Sequence, residues 1–330
     1  MKPDSSLAAS VTLSSRYVLH QHSRAVLRRV VTNVSSPGKA IQGAMRLRIA
    51  SMSAASRRVI AALVCVALAM TACSSAPSAT TEPAVDPSIP APERAYPQQI
   101  PYGELAGQYG WLDTPDQTTP DSGYPVVILV HGGFWSEPWD HTLMSPLAQD
   151  LVANGYATWN IEFRRLGGTG GFPETFDDVA AAVDALAQAD DANLDLERTI
   201  VVGHSSGGHL ALWALGRNDS AVQLRGAVGL GAITDLEAFP QAQTLLGGDA
   251  ATYPDRYLAA APELDPERVV LIHGESDRIV PRSSLAKAEL IGTPIIDVSD
   301  TDHFMLINPS SDAWRITREH INDIIGPGAQ

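Results

Sequence analysis

The segment Thr199–Leu215 constrains the fold more than any other part of the chain. Thr199-Ile200-Val201-Val202 is a short, largely β-branched run that reads as a buried strand. It passes directly into Gly203-His204-Ser205-Ser206-Gly207 and then into His209–Leu215, a stretch rich in Leu and Ala that favours helix. A strand that turns into a helix this sharply has no room for a Cβ at either end of the turn, and glycine stands at both. Such a turn holds the Ser205 hydroxyl out at the carboxyl end of the strand, next to the unpaired N–H groups of the helix N-terminus.

The sequence around this segment alternates strand and helix. Gly107–Asp113 fits a strand of an opening hairpin, and Pro125–Val130 is a continuous apolar run suited to a strand buried on both faces. A helix is expected over His141–Asn154, a strand over Tyr156–Phe163 and an Ala-rich helix over Phe176–Gln188. Beyond the serine, strands are expected over Leu224–Ile233, Val269–His273 and Pro294–Val298, with helices over Ser283–Ile291 and Asp312–Ile325. This order predicts an α/β fold with a mostly parallel sheet and helices on both faces. One long interruption, Thr234–Pro266, reads either as a small cap over the carboxyl ends of the strands or as a surface excursion.

The N-terminal part has a different character. Residues 1–72 carry ten Lys and Arg against one acid, Asp4, out of 23 basic and 37 acidic residues in the chain. The remaining 13 basic and 36 acidic residues make an acidic body, which repels nucleic acid. Residues 1–51 show no sustained period and read as a leader or as a start placed too early, since Met45 and Met52 each precede a better-formed segment. Arg57-Arg58, the apolar run Val59–Met70 and the small residues that follow have the form of a secretory signal peptide; the run is too short to span a membrane. Ser74–Pro97 has the Pro, Ala, Ser and Thr composition of an extended tether. The expected organisation is therefore leader and signal over 1–72, tether over 73–98 and one globular domain over 99–330. Only Cys65 and Cys73 are present, so the globular part has neither a disulfide framework nor a cysteine metal site.

A serine hydroxyl attacks a carbonyl only when a base takes its proton, and that base needs a carboxylate to orient it. Both follow Ser205 in the chain. Asp277 lies just past strand Val269–His273, and His303 lies in the loop after strand Pro294–Val298. Glu275 and Asp302 are rival carboxylates: Glu275 is placed to brace its loop, and Asp302, adjacent to the histidine, points away from it. His204 and His209 read as supports of the turn and its helix, and His141 and His273 as structural. Developing negative charge on the substrate needs backbone N–H donors. Ser206 supplies one, and His131-Gly132-Gly133-Phe134-Trp135, directly after strand Pro125–Val130, supplies others, its glycines letting the backbone approach the oxyanion closely.

Over about Tyr102–Ile325 the chain resembles the esterase and lipase branch of the α/β-hydrolase superfamily. HGGFW at His131–Trp135 and GHSSGGH at Gly203–His209 are similar to kynurenine formamidases and related small carboxylesterases, as are HGESD at His273–Asp277 and LLGG at Leu245–Gly248. The resemblance implies a triad of Ser205, Asp277 and His303, with Gly132, Gly133 and Ser206 around the oxyanion. The hormone-sensitive-lipase type has a third glycine where Phe134 stands. Phe134 and Trp135, with Trp139, either narrow the acyl side of a substrate pocket or serve as core aromatics. Met70-Thr71-Ala72-Cys73 resembles a bacterial lipobox, which implies lipidation of Cys73. The expectation is an exported, lipid-anchored serine hydrolase of small esters, needing no cofactor or metal. Arylformamidase activity is the alternative, and a non-catalytic surface lipoprotein a third reading.

Overall fold

The computed structural model describes residues 97–116, 120–189 and 193–328. The leader, the signal, Cys73 and all of the expected tether except residues 97 and 98 lie outside these residues; Gln98 already belongs to the sheet. Among the described residues, eight strands form one sheet: β1 Gln98–Pro101, β2 Tyr109–Asp113, β3 Tyr124–Val130, β4 Ala157–Ile161, β5 Leu194–His204, β6 Gly226–Leu230, β7 Val269–Gly274 and β8 Ile295–Val298. Their spatial order is β1-β2-β4-β3-β5-β6-β7-β8. β1 and β2 run antiparallel at one edge, and the other six are parallel.

The principal helices are α1 Ser145–Ala153, α2 Glu174–Ala185, α3 Ser206–Leu215, α4 Pro240–Leu246, α5 Pro254–Ala259, α6 Ala286–Ile291 and α7 Asp312–Ile325. Alternate residues of a strand face opposite sides of a sheet, and two apolar cores follow from that. Val126, Ile128 and Val130 of β3 join Val201 of β5 in a core shared with α2 and α3. Val127 and Leu129 of β3 join Ile200 and Val202 of β5 in the opposite core, with α1 and α7. α3 is buried on almost every side, which explains why its sequence shows no polar face. α7 keeps one, and Ser311 caps its start by accepting from the Trp314 N–H at 3.1 Å. No helix among the described residues is long and apolar enough to cross a membrane.

Two departures from the sequence reading have clear causes. β5 begins at Leu194, five residues before the apolar run, because Leu194 and Asp195 pair with Tyr124 and Pro125 ahead of a register shift. That half of the strand is polar and gives no periodic signal. The interruption 234–266 folds into α4 and α5 and is fastened to α3. His209 Nε2–H donates to the Ala260 carbonyl and Trp213 Nε1–H to that of Ala259, each at 2.8 Å. The Arg256 guanidinium lies over the rings of Tyr253 and Phe172, 4.4 and 5.8 Å from their centroids.

Candidate active site

Ser205 occupies the junction of β5 and α3 with φ 57° and ψ −123°, a left-handed conformation that costs a non-glycine residue energy. The surrounding backbone holds it there. The Ser205 N–H donates to the Leu230 carbonyl at 2.8 Å, and the Ser205 carbonyl accepts from Ile233 and His209 at 3.2 Å each. A Cβ at Gly203 would meet the Gly207 carbonyl, and one at Gly207 would meet those of Val130 and His131, so both positions require glycine.

Asp277 follows the end of β7. Its Oδ1 accepts from the backbone N–H groups of Ile279 (2.8 Å) and Val280 (2.9 Å), which fix the carboxylate plane. Its Oδ2 lies 2.6 Å from His303 Nδ1, so the Nδ1–H donates to it. Burial pushes the Asp277 carboxyl up, but the hydrogen bond and charge of His303 and the two N–H donors outweigh burial and hold it below its ordinary value. The rival carboxylates stand apart from the histidine. Glu275 is exposed, and Asp302 is turned to accept from the N–H groups of Phe304 and Met305.

His303 is positioned by the residue before the serine. His204 Nε2–H donates to the His303 carbonyl at 3.0 Å, and the two rings lie 4.4 Å apart. Burial, then the neighbouring His303, pushes His204 down to about 3, so it remains a neutral donor. With Nδ1 engaged by Asp277, Nε2 is the free nitrogen of the His303 ring. His303 and Ser205 line one cavity, and the Ser205 hydroxyl makes no hydrogen bond among the described residues.

The loop after β3 closes the other side. Gly132 is packed against the β5–α3 turn, where a Cβ would come within 2.9 Å of Ser205 Cβ and the His204 carbonyl. Gly133 and Phe134 line the cavity and their N–H groups have no acceptor among the described residues, whereas Gly132, expected beside Gly133 at the oxyanion, does not line it; Phe134 takes its place. The Ser206 N–H stands in the first turn of α3, where no intrahelical acceptor exists. Phe134, in the place of a third glycine, adopts φ 54°, and Trp135 follows at 55°. Ser206 Oγ secures this turn by accepting from the Trp135 N–H at 3.2 Å.

Trp135 is a correction to the sequence reading: it is a core residue and no part of the pocket. Only 1% exposed, its indole meets the His209 ring edge-on at 5.4 Å. Phe134 and Trp139 do line the cavity, which measures about 120 Å³. Three further apolar walls, Leu143, Ile279 and Phe304, were missed, although Ile279 sits two residues after Asp277 and Phe304 directly after His303. No residue of 234–266 lines the cavity, so aromatic side chains from two loops bound it instead of α4 and α5.

The sequence also concealed a buried polar network behind the loop. The Glu162 carboxylate accepts from the backbone N–H groups of His141 and Phe163, each at 3.0 Å, and is ion-paired to Arg165. Its Oε1 lies 3.1 Å from His131 Nε2, at the root of the Gly132–Gly133 turn. Among the described residues no group of three or more His, Cys, Asp or Glu side chains is arranged to hold a metal ion.

The BD-FAE family model matches residues 112–289, more than half of the chain, from β2 to α6. The chain belongs to the BD-FAE family. The match ends before His303 and so contains Ser205 and Asp277 but not the histidine. Over 138 residues this BD-FAE member is 31% identical to the "Uncharacterized peptidase YuxL" of Bacillus subtilis (strain 168), covering 37% of this chain. The chain thus spans about a fifth of the length of that curated relative (20%). Among solved structures, it is similar to a truncated carbohydrate esterase from gut microbiota, with a TM-score of 0.59 and 19% identity over 68% of this chain and 94% of that one. Esterase 2 of Thermogutta terrifontis gives a TM-score of 0.56 and 15% identity, over 71% and 94%. Esterase B of Lactobacillus rhamnosis gives 0.58 and 18% identity, over 68% and 83%. At these identities the likeness carries the α/β-hydrolase fold and nothing finer.

Proposed function

We propose that this BD-FAE member is a serine hydrolase that cleaves small carboxylic esters through an acyl-enzyme. The observation that carries the reading is the juxtaposition at one cavity. A strained, unpartnered Ser205 hydroxyl shares it with His303, whose Nδ1–H is held by Asp277, and with unpartnered N–H groups of Gly133 and Phe134. In this reading Ser205 Oγ attacks the ester carbonyl while His303 Nε2 takes its proton. The Asp277 carboxylate stabilises the imidazolium, and the N–H groups of Gly133, Phe134 and Ser206 take the oxyanion. His303 then protonates the departing alcohol, and water, deprotonated by the same nitrogen, releases the acid.

The half-open, aromatic-walled cavity suits a short acyl group. A cavity of about 150 Å³ admits a benzene-sized molecule, and this one is smaller. Trp139 and Phe304 are 44% and 47% exposed, and at the mouth of the cavity they offer aromatic faces to an aryl group too large for its interior, which supports arylformamidase as the second reading. We place the enzyme outside the cytoplasm, anchored through lipidated Cys73; the reading rests on the apolar run before the cysteine and the tether composition after it. Labelling by a fluorophosphonate probe, abolished in Ser205→Ala, tests the catalytic reading; an unlabelled wild type overturns it in favour of a binding protein. Rates on p-nitrophenyl acetate and butyrate, N-formylkynurenine, an acetylated carbohydrate and a peptide anilide then rank the substrate classes. Palmitate-analogue labelling abolished by Cys73→Ser tests the anchor.

A further inference from the structure

Trp139 separates two spaces. On one side is the cavity of about 120 Å³ that contains Ser205; on the other is an open groove of about 420 Å³ formed with Pro138, Asp140, Thr142 and Pro146. Trp139 and Leu143 line both, so these two side chains are the partition between them. The indole is held from two directions. It lies over Gly133, where a Cβ would come within 2.5 Å of its Cγ, and it stacks on Phe304 at 6.2 Å between centroids with 29° between the planes. Both supports belong to functional loops: Gly133 precedes the Phe134 N–H, and Phe304 follows His303. Yet Trp139 is 44% exposed and contributes to neither apolar core, so packing alone gives no reason for a large aromatic residue there.

We propose that the Trp139–Leu143 partition sets the length of the acyl group that the enzyme accepts, a reading that rests on the serine hydrolase function above. With the partition in place, an acyl chain extending from the Ser205 ester meets the indole and stops. Without it, the chain passes into the groove beyond, where the flanks of Pro138 and Pro146 cover it.

The test is the ratio of kcat/KM for p-nitrophenyl octanoate to that for p-nitrophenyl acetate. In Trp139→Ala the ratio should rise at least tenfold over wild type, and in Leu143→Ala it should rise less but in the same direction. Trp139→Phe, which keeps an aromatic wall over Gly133, should stay within about threefold of wild type. A ratio unchanged in both alanine variants overturns the proposal. So does an equal rise in Trp139→Phe, or a change confined to the alcohol side, read on ethyl and octyl acetates. A wild type that neither labels with fluorophosphonate nor hydrolyses any ester overturns the hydrolase reading itself, and that outcome is distinct from all three.

Discussion

Acidification should weaken the fold through His209. The ring is fully buried between the edges of Trp135 and Phe176, 5.4 and 5.8 Å from their centroids. Its Nε2–H donates to the Ala260 carbonyl, while its buried Nδ1 has no hydrogen-bond partner. A second proton would place a charge in that apolar slot, and burial, opposed by the Ala260 carbonyl, drives His209 down to about 4. In the unfolded chain a histidine titrates near 6.5. The folded value is the depressed one, so the unfolded chain binds the proton first as pH falls. Stability that is complete above about pH 6.5 is therefore lost progressively toward pH 4. For one such group the loss between pH 7 and pH 5 is about 2 kcal/mol. His204, pushed to about 3 by burial and by His303, adds a loss of the same sign and similar size. Urea unfolding of wild type and His209→Gln at the two pH values isolates the first term. Glutamine keeps an N–H donor for Ala260 and does not titrate. The variant starts less stable because it fills the slot poorly, but its loss from pH 7 to pH 5 should be smaller by about 2 kcal/mol. Losses equal to within about 0.5 kcal/mol would show that His209 carries its proton in the folded state, and the burial argument would fail.

Ser205→Ala and His303→Ala should each lower kcat for p-nitrophenyl acetate by about four to six orders of magnitude, and the double variant by little more. Losses that multiply in the double variant would mean that the two residues do not act as a unit. Gly203→Ala drives a methyl group into the Gly207 carbonyl and should cost at least about 3 kcal/mol, read as a lower urea midpoint. Glu162→Ala leaves Arg165 and His131 without their buried partner. It should cost about 3–5 kcal/mol in the same assay, with a parallel fall in kcat as the Gly132–Gly133 turn loses its support.

What could be read from the sequence depended on whether a feature was local. The turn at Ser205 announced itself because its glycines, its strand and its helix are contiguous. α7 has the limits expected from Asp312 to Ile325, since Ser311 caps its start, Gly326 follows its end and an apolar stripe runs between them. Trp135 and Trp139 were not separable. Which tryptophan faces the core depends on the left-handed backbone at Phe134 and Trp135, and neither residue type signals positive φ. The Glu162 network was equally hidden. Charged residues are exposed by default, and two of the partners that make its burial tolerable, His141 and His131, stand 21 and 31 residues away in the chain. β5 started early because its polar half is recruited by pairing with β3, a long-range effect that no window on the sequence contains.

The topology explains why these residues meet. Parallel strands deliver all their carboxyl ends to one edge of the sheet, and β5 stands between β3 on one side and β6, β7 and β8 on the other. Ser205 therefore has the N–H groups of the β3 loop on one flank and, on the other, Asp277 and His303, which arrive from the ends of β7 and β8. The N–H donors and the proposed base reach Ser205 from opposite directions without crossing. The same edge concentrates the strain: Phe134, Trp135 and Ser205 all have positive φ there, at roughly 1–3 kcal/mol each. Two of the three are fastened by neighbours across the site. Leu230 and Ile233 hold Ser205, and Ser206 holds Trp135. Loosening any one fastening should relax the strained backbone it holds and displace an N–H donor or Ser205, so under the proposed mechanism substitutions at this edge should reduce activity before they unfold the domain. Trp139 stands outside that arrangement. It makes no hydrogen bond among the described residues and meets the two loops only by lying over Gly133 and stacking on Phe304, so its replacement should change the shape of the cavity without removing a fastening.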